Sequence, residues 1–149
     1  MNSTLRSFLT GGEGGASPLA DAGLLLLRLF TGLALAFGHG LGKLPPSAGF
    51  IETTGNLGFP LPTFFAWAAG LTEFVGGLCL AFGLGTRPAA VLIAFTMAVA
   101  AFGQHGGDPF SGMEKSLLFL VIAVVLFLTG SGRYGLDRLL QPKDNRIWR

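Results

Sequence analysis

Residues Gly23–Leu44, GLLLLRLFTGLALAFGHGLGKL, decide the fold of this chain because they join a long apolar run to several ionisable side chains. A run of this length crosses the roughly 30 Å of a bilayer's hydrocarbon core, since an α-helix rises about 1.5 Å per residue. Three further apolar runs follow at residues 62–83, 88–104 and 115–129. The chain is therefore predicted to be an all-α integral membrane protein that folds as a four-helix bundle.

The composition favours this membrane fold over a soluble four-helix bundle. Half of the 149 residues are apolar and 12% are charged, whereas a soluble domain usually carries about 25% charged residues. A soluble bundle also needs a polar stripe on every helix, and Leu24–Leu27 and Val121–Leu128 offer none. Four spans with three connections use nearly the whole chain, which leaves room for one domain.

The distribution of basic residues predicts the orientation of the chain. Arg87 lies between the second and third runs, and Arg133 begins a basic segment after the fourth, whereas the other two connections hold only Lys43 and Lys115 at their edges. By the positive-inside rule, both termini are predicted to be cytoplasmic. Residues 1–17 are then a flexible cytoplasmic arm, residues 18–140 the membrane domain, and residues 141–149 a basic tail. No folded basic surface accompanies this tail, so nucleic acid is not a predicted partner.

Five ionisable residues in or at the ends of the runs predict an internal polar site, because charge in hydrocarbon is costly and usually faces a bundle interior. Arg28 and His39 are eleven residues apart and share one face of a regular helix, and Lys43 follows one turn later. The second span runs in the opposite direction, and Glu73 lies about 16 Å along it. His39, Lys43 and His105 are expected at the outer mouth, with Glu73 as the floor and Arg28 beneath it.

Several chemistries are compatible with this set of residues. Arg28 and Glu73 either pair to neutralise each other's charge or contribute to function. A cationic rim, imidazoles and a deep carboxyl suit an anionic or quinone-like molecule. Two facing histidines could ligate a b-type haem or a metal ion, but no third strong ligand or fixed spacing supports either, so no metal is predicted. Cys79 is the only cysteine, which excludes a CxxC redox pair.

Small residues and prolines predict how the spans pack and connect. Small side chains at helical spacing let two helix backbones approach closely, so these stripes are expected to face the bundle. The connection at residues 45–61 contains three prolines and is expected to fold back over the bundle. The small residues are Gly32, Ala36 and Gly40 in the first run and Ala66, Gly70 and Gly77 in the second.

A series of short motifs links the chain to a known family. In order, the chain carries LLRL around Arg28, HGLGKL from His39, AGLTEFVGG from Ala69, GTR from Gly85, then His105, and GLDRLL from Gly135. Their order and spacing over residues 23–140 closely resemble the DoxX family. The resemblance implies a small four-span protein of the bacterial inner membrane, with motif positions at Arg28, His39, Lys43, Glu73 and His105. Relatives in the DoxX/DoxD group include a subunit of a thiosulfate:quinone oxidoreductase and accessory proteins of thiol and oxidative-stress complexes.

The leading hypothesis is that the chain is a membrane component of a redox process, such as a quinone-linked oxidoreductase subunit, and binds a quinone or a small oxidisable molecule. Glu73 and His39 are its expected catalytic residues and manage protons, while Arg28, Lys43 and His105 bind the ligand. The rival hypothesis is a non-enzymatic scaffold or accessory protein, or a small-solute carrier, in which these residues position a partner or line a passage. Expected partners are the lipid bilayer, an oxidoreductase subunit and, through the small-residue stripes, a second copy of the chain.

Overall fold

The computed structural model describes residues 17–140, and every regular element within that range is a helix. The predicted arm and basic tail fall mostly at residues 1–16 and 141–149, outside the described residues. The elements are α1 (Pro18–Lys43), α2 (Ala48–Asn56), α3 (Pro62–Phe82), α4 (Thr86–Gln104), α5 (Phe110–Thr129) and a final 3₁₀ helix (Leu136–Leu140).

Four of these helices, α1, α3, α4 and α5, are long and apolar enough to cross a membrane, which confirms the predicted fold class. Their bounds differ from the predicted runs mainly at the polar first turns, which an apolar pattern does not include. Helix α1 begins five residues before Gly23, where the Ser17 hydroxyl accepts a hydrogen bond from the amide of Ala20 (3.2 Å). Helix α5 begins directly after Pro109, five residues before Lys115.

Helices α1 and α3 approach each other closely because glycines line their interface. A Cβ added at Gly32 would lie 2.6 Å from the backbone nitrogen of Ala81, and one added at Gly77 would lie 2.7 Å from the carbonyl oxygen of Gly32. A Cβ at Gly40 would lie 2.7 Å from the carbonyl carbon of Glu73. The predicted packing face is therefore confirmed, and this stripe of α1 is covered by α3, which removes it as a contact surface for a second copy.

The four membrane helices form two pairs, α1 with α3 and α4 with α5, which meet at one end of the bundle. There the second half of α3 packs against α4, and a buried cluster that includes Leu35, Leu80, Ile93 and Leu126 fills the centre. The first half of α3 packs instead against α1 and α2. The two pairs therefore separate towards the end that carries α2, here called the cavity end.

The connection between α1 and α3 folds back over the bundle, as its prolines predicted. Within it, helix α2 begins after Ser47, whose hydroxyl accepts a hydrogen bond from the amide of Phe50 (3.2 Å). The helix packs against the first half of α3. Its far end reaches α4, because a Cβ added at Gly103 would lie 3.1 Å from Cδ2 of Leu57. Helix α2 thus bridges the two helix pairs at the cavity end.

Candidate functional site

A cavity of about 740 Å³ lies between the separated helix pairs at the cavity end. Residues from all five helices line it, and α2 covers it with Phe50, Thr54 and Leu57. Small-molecule sites in proteins usually enclose about 300–1,000 Å³ and place a few polar groups on apolar walls. The cavity therefore has the size of a site for one small organic molecule.

The strongest polar feature of the cavity is an ion pair between Lys43 and Glu73. The Lys43 ammonium donates to Oε1 of Glu73 at 2.5 Å and to Oε2 at 2.7 Å. The Glu73 side chain is 1% exposed, whereas that of Lys43 is 33% exposed and also lies 5.4 Å from the ring centroid of Phe50. The buried Glu73 carboxylate thus fixes the position of the ammonium, and the ammonium of Lys43 is exposed to the cavity. An ammonium has three donors, so one remains after Glu73 is satisfied.

His39 lies on the same wall, one turn before Lys43 on α1. Its ring packs edge-on against Phe119 of α5, with centroids 5.6 Å apart and planes at 78°. Within residues 17–140, none of the hydrogen bonds involves a ring nitrogen of His39. A neutral imidazole carries one donor and one acceptor, and both are available to a molecule in the cavity.

His105 lies at the end of α4 and also lines the cavity. Its Nδ1 is 2.7 Å from Oδ2 of Asp108, three residues further on. In the neutral ring this contact favours a proton on Nδ1, which leaves Nε2 as an acceptor, whereas the protonated ring donates from both nitrogens. Asp108 is therefore a positioning residue for a histidine at the edge of the cavity.

The structure brings four of the five predicted residues to the cavity and places Arg28 elsewhere. His39, Lys43, Glu73 and His105 all line the cavity. Arg28 is buried at the opposite end of the bundle, where it donates to the carbonyl of Ala81 (3.1 Å) and, from its other terminal nitrogen, to that of Tyr134 (2.6 Å). Of the two alternatives for Arg28 and Glu73, the neutralising pair is therefore absent, and Glu73 pairs with Lys43 instead.

Arg28 belongs to a second polar cluster that fastens the C-terminal segment to the bundle. Asp137, 1% exposed, accepts hydrogen bonds from the amides of Gly85 (2.6 Å) and Thr86 (3.0 Å) at the start of α4. Its own amide donates to the carbonyl of Gly83 (2.7 Å). The GTR and GLDRLL motifs therefore meet in space as a structural joint, which their separation by about fifty residues does not indicate.

Sequence reasoning missed the aromatic walls of the cavity. Five phenylalanines from α2, α3, α4, α5 and the loop before α3 line it, and two of them, Phe59 and Phe65, lie with ring centroids 4.6 Å apart. A phenylalanine in a membrane helix usually faces lipid, so composition alone does not distinguish a cavity wall. The helical spacing of Phe65, Ala68 and Thr72 on one face of α3 is a signal that could have indicated a cavity wall. The five are Phe50, Phe59, Phe65, Phe95 and Phe119.

Three of the four membrane helices contain a π-helical segment, and each segment contributes a polar residue to the cavity. Ala36–Gly40 in α1 contains His39, Thr72–Gly76 in α3 contains Glu73, and Val99–Gln104 in α4 contains Gln104. A π turn inserts one extra residue and is found frequently at functional sites. Its recurrence at three walls of one cavity supports a functional role for these segments.

Comparison with known proteins identifies the family. The DoxX family profile matches residues 23–106. The Bacillus subtilis (strain 168) protein named "Putative oxidoreductase CatD" is 39% identical over 118 residues, which are 78% of this chain and 86% of the relative. The "Inner membrane protein YqjF" of Escherichia coli (strain K12) is 36% identical over 134 residues, which are 84% and 97% of the two chains.

A third relative, the "Inner membrane protein YphA" of the same Escherichia coli strain, is 28% identical over 124 residues, covering 77% of this chain and 89% of the relative. No solved structure matches the chain significantly. The family match covers more than half of the chain, and CatD and YqjF are aligned over most of their length. The chain therefore belongs to the DoxX family of membrane proteins.

Proposed function

We propose that this chain is the membrane component of a redox system and binds a quinone, or a similar small oxidisable molecule, in the cavity. The observation that carries the proposal is the Lys43–Glu73 pair, which presents an anchored ammonium to a largely apolar and aromatic cavity. The name of the relative CatD, "Putative oxidoreductase", gives independent support for redox chemistry.

The residue types of the cavity suit the structure of a quinone. A quinone has a flat ring, which packs well against phenylalanine rings, and two carbonyl oxygens that accept hydrogen bonds. The remaining donor of Lys43 is available to one carbonyl, and a protonated His105 can donate from Nε2 to the other. In this arrangement Lys43 and His105 orient the ligand, and Asp108 keeps His105 in place.

Reduction of a quinone to a quinol takes up two electrons and two protons. In the proposal the electrons come from a partner oxidoreductase, and the Lys43 ammonium stabilises negative charge on the reduced oxygen. His39 and Glu73 relay the two protons from water to the reduced oxygens, and each takes up a proton from water before it passes one on. The chain then contributes the binding site and the proton path, and the partner contributes the reductant.

Equilibrium binding of a tail-less benzoquinone to the purified protein in lipid nanodiscs tests this proposal. We expect His39→Ala and Glu73→Gln each to raise the dissociation constant at least tenfold, a loss of about 1.4 kcal/mol of binding free energy. Glu114→Gln is the matched control, because Glu114 is exposed on α5 and lies outside the cavity lining. Its dissociation constant should equal that of the wild type.

Equal affinity in the wild type and in both cavity variants would contradict the proposed site. If the wild type binds no quinone and instead co-purifies with a soluble oxidoreductase, the accessory or scaffold hypothesis gains support. Flux of a small solute into proteoliposomes would favour the carrier hypothesis, since redox function requires no such flux.

The proposal also includes a location and an orientation. The names of YqjF and YphA place those relatives in the inner membrane, which supports a bacterial inner-membrane location for this chain. Arg87 and Arg133 lie at the end of the bundle opposite the cavity, and basic residues accumulate on the cytoplasmic side. In this orientation both termini are cytoplasmic and the cavity end faces outward.

A further inference from the structure

The cavity has two exposed edges of opposite polarity. At the cavity end, the exposed residues that line it are polar and include Gln104, Ser111 and Lys115. Further along α4, Leu92 and Phe95 also line the cavity, although they are 56% and 58% exposed on the outer surface of the bundle. A residue that is both exposed and cavity-lining marks an opening, so the cavity opens at a polar edge and at an apolar edge.

The apolar edge lies between α3 and α4. Helix α4 lines the cavity with Leu92, Phe95, Thr96 and Val99, a single helical face with i, i+3, i+4 and i+7 spacing. Helix α3 lines it with a face of the same spacing at Phe65, Ala68, Ala69 and Thr72. The two helices pack together mainly through the π segment Thr72–Gly76 and the second half of α3, whereas the first half of α3 packs against α1 and α2. The two lining faces therefore border a gap.

This gap faces hydrocarbon rather than water. Leu92 and Phe95 are twelve and nine residues from Gln104, and lie about 18 Å and about 14 Å along the helix from its cavity end. The hydrocarbon core is about 30 Å thick, so both residues lie near its middle. Leu57, which directly follows α2, lies beside Gly103 of α4, where an added Cβ would be 3.1 Å from its Cδ2, and it narrows the gap on the side of the membrane surface.

We propose that this gap is a lateral portal, through which a membrane-dissolved amphiphile enters the cavity head first. The head group carries hydrogen-bond acceptors that reach Lys43, and a long hydrocarbon tail leaves through the portal beside Leu92 and Phe95. This proposal rests on the proposed function and narrows its ligand to a long-tailed quinone, rather than a water-soluble molecule entering at the polar edge.

The portal should control the rate of binding more than its affinity. Lipid tails are as apolar as the Leu92 and Phe95 side chains, so a ligand tail gains little free energy by moving from the bilayer into the portal. A wider side chain at the portal obstructs passage without touching Lys43 or His39. The expected signature is slower loading of a tailed ligand with unchanged binding of the ring.

The experiment measures loading of purified protein in vesicles that contain a decyl-tailed quinone, with quinone per protein quantified by extraction over time. We expect the double variant Leu92→Trp/Phe95→Trp to load at least tenfold more slowly than the wild type, and Leu92→Ala/Phe95→Ala to load faster. Val91→Trp is the matched control, because Val91 is 50% exposed on α4 and does not line the cavity. Its loading rate should equal that of the wild type.

A parallel measurement separates the portal from the site itself. The single variant Leu92→Trp serves here, because Leu92 is not one of the five phenylalanines proposed to pack against the quinone ring. It should load the tailed quinone more slowly than the wild type, yet bind the tail-less ring, added from water, within about threefold of the wild-type affinity. If the wild type binds the ring and the portal variants load the tailed quinone as fast as Val91→Trp, the portal is refuted and the proposed function stands. If the wild type binds neither quinone, the proposed function is refuted, and the portal proposal, which depends on a quinone ligand, is refuted too.

Discussion

The Glu73 carboxylate is almost entirely removed from solvent, and it accepts two hydrogen bonds from the Lys43 ammonium. Burial of an ion pair carries a desolvation cost that the attraction between its members only partly offsets, so such a pair is weak evidence of a stabilising role. Removal of one member is different, because it leaves an uncompensated buried charge. This asymmetry allows the structural and functional contributions of the pair to be separated.

We predict that Lys43→Met lowers the free energy of unfolding by about 3–5 kcal/mol, because it leaves Glu73 buried without its cation. The double variant Lys43→Met/Glu73→Leu should recover most of that stability and still fail to bind quinone. Thermal unfolding can be followed with a thiol-reactive dye, since Cys79 is the only cysteine and lies half-buried in α3. Retained quinone binding in the double variant would show that the pair is purely structural.

Arg28 and His39 share one face of a regular helix by their spacing, but this spacing does not predict that Arg28 lies away from the cavity. Side chains on a helix lean towards its N-terminus, so the guanidinium of Arg28 reaches the carbonyls of Ala81 and Tyr134 rather than Glu73. The π segment at Ala36–Gly40 then adds a residue between Arg28 and Lys43 and rotates the following side chains. Neither effect can be seen in an eleven-residue interval counted on a regular helix.

At the scale of elements, the spans could be predicted from the sequence and their internal irregularities could not. Apolar runs of about twenty residues have few alternatives to a membrane helix, and the structure contains four such helices. The π segments depend on which carbonyl each amide reaches, and no residue type specifies that choice. Two of the π segments, in α1 and α3, lie where glycines bring the backbones of these helices close together.

We predict that Gly40→Ala disrupts the contact between α1 and α3 within the π segments. Its Cβ would lie 2.7 Å from backbone atoms of both Glu73 and Phe74, which cannot move aside without separating the helices. We expect the free energy of unfolding to fall by about 1–3 kcal/mol, as for other overpacked cores. Quinone binding should also be lost, because Lys43 is displaced from Glu73.

Gly38→Ala is the control for that substitution. Gly38 lies in the same π segment, but a Cβ there would meet nothing within 4 Å. Alanine is about 1 kcal/mol more favourable than glycine inside a helix, so this variant should be neutral or slightly stabilised in the same thermal unfolding assay. Equal behaviour of the two variants would show that the close contact at Gly40 does not maintain the site.

At the scale of the whole molecule, two helix pairs joined at one end create the cavity at the other. The buried cluster around Leu80 and Ile93 and the joint at Asp137 hold one end together. The opposite end is bridged by α2 and by the ring contact between His39 and Phe119, which leaves space between the pairs. Convergence of polar residues at one end could be inferred from alternating helix directions, but the separation of the pairs depends on side-chain packing that no single span encodes.

The orientation of this asymmetric bundle decides which compartment meets the polar edge of the cavity, and we predict that it is the outer side. Single cysteines in a Cys79→Ala background test this prediction with a membrane-impermeant maleimide applied to spheroplasts. Gly49→Cys and Gly107→Cys, at positions where a Cβ meets nothing within 4 Å, should be labelled. Tyr134→Cys, at the opposite end, should be labelled only after the membrane is permeabilised. The reverse pattern would turn the cavity end towards the cytoplasm, and the His105–Asp108 pair would then exchange protons with that compartment.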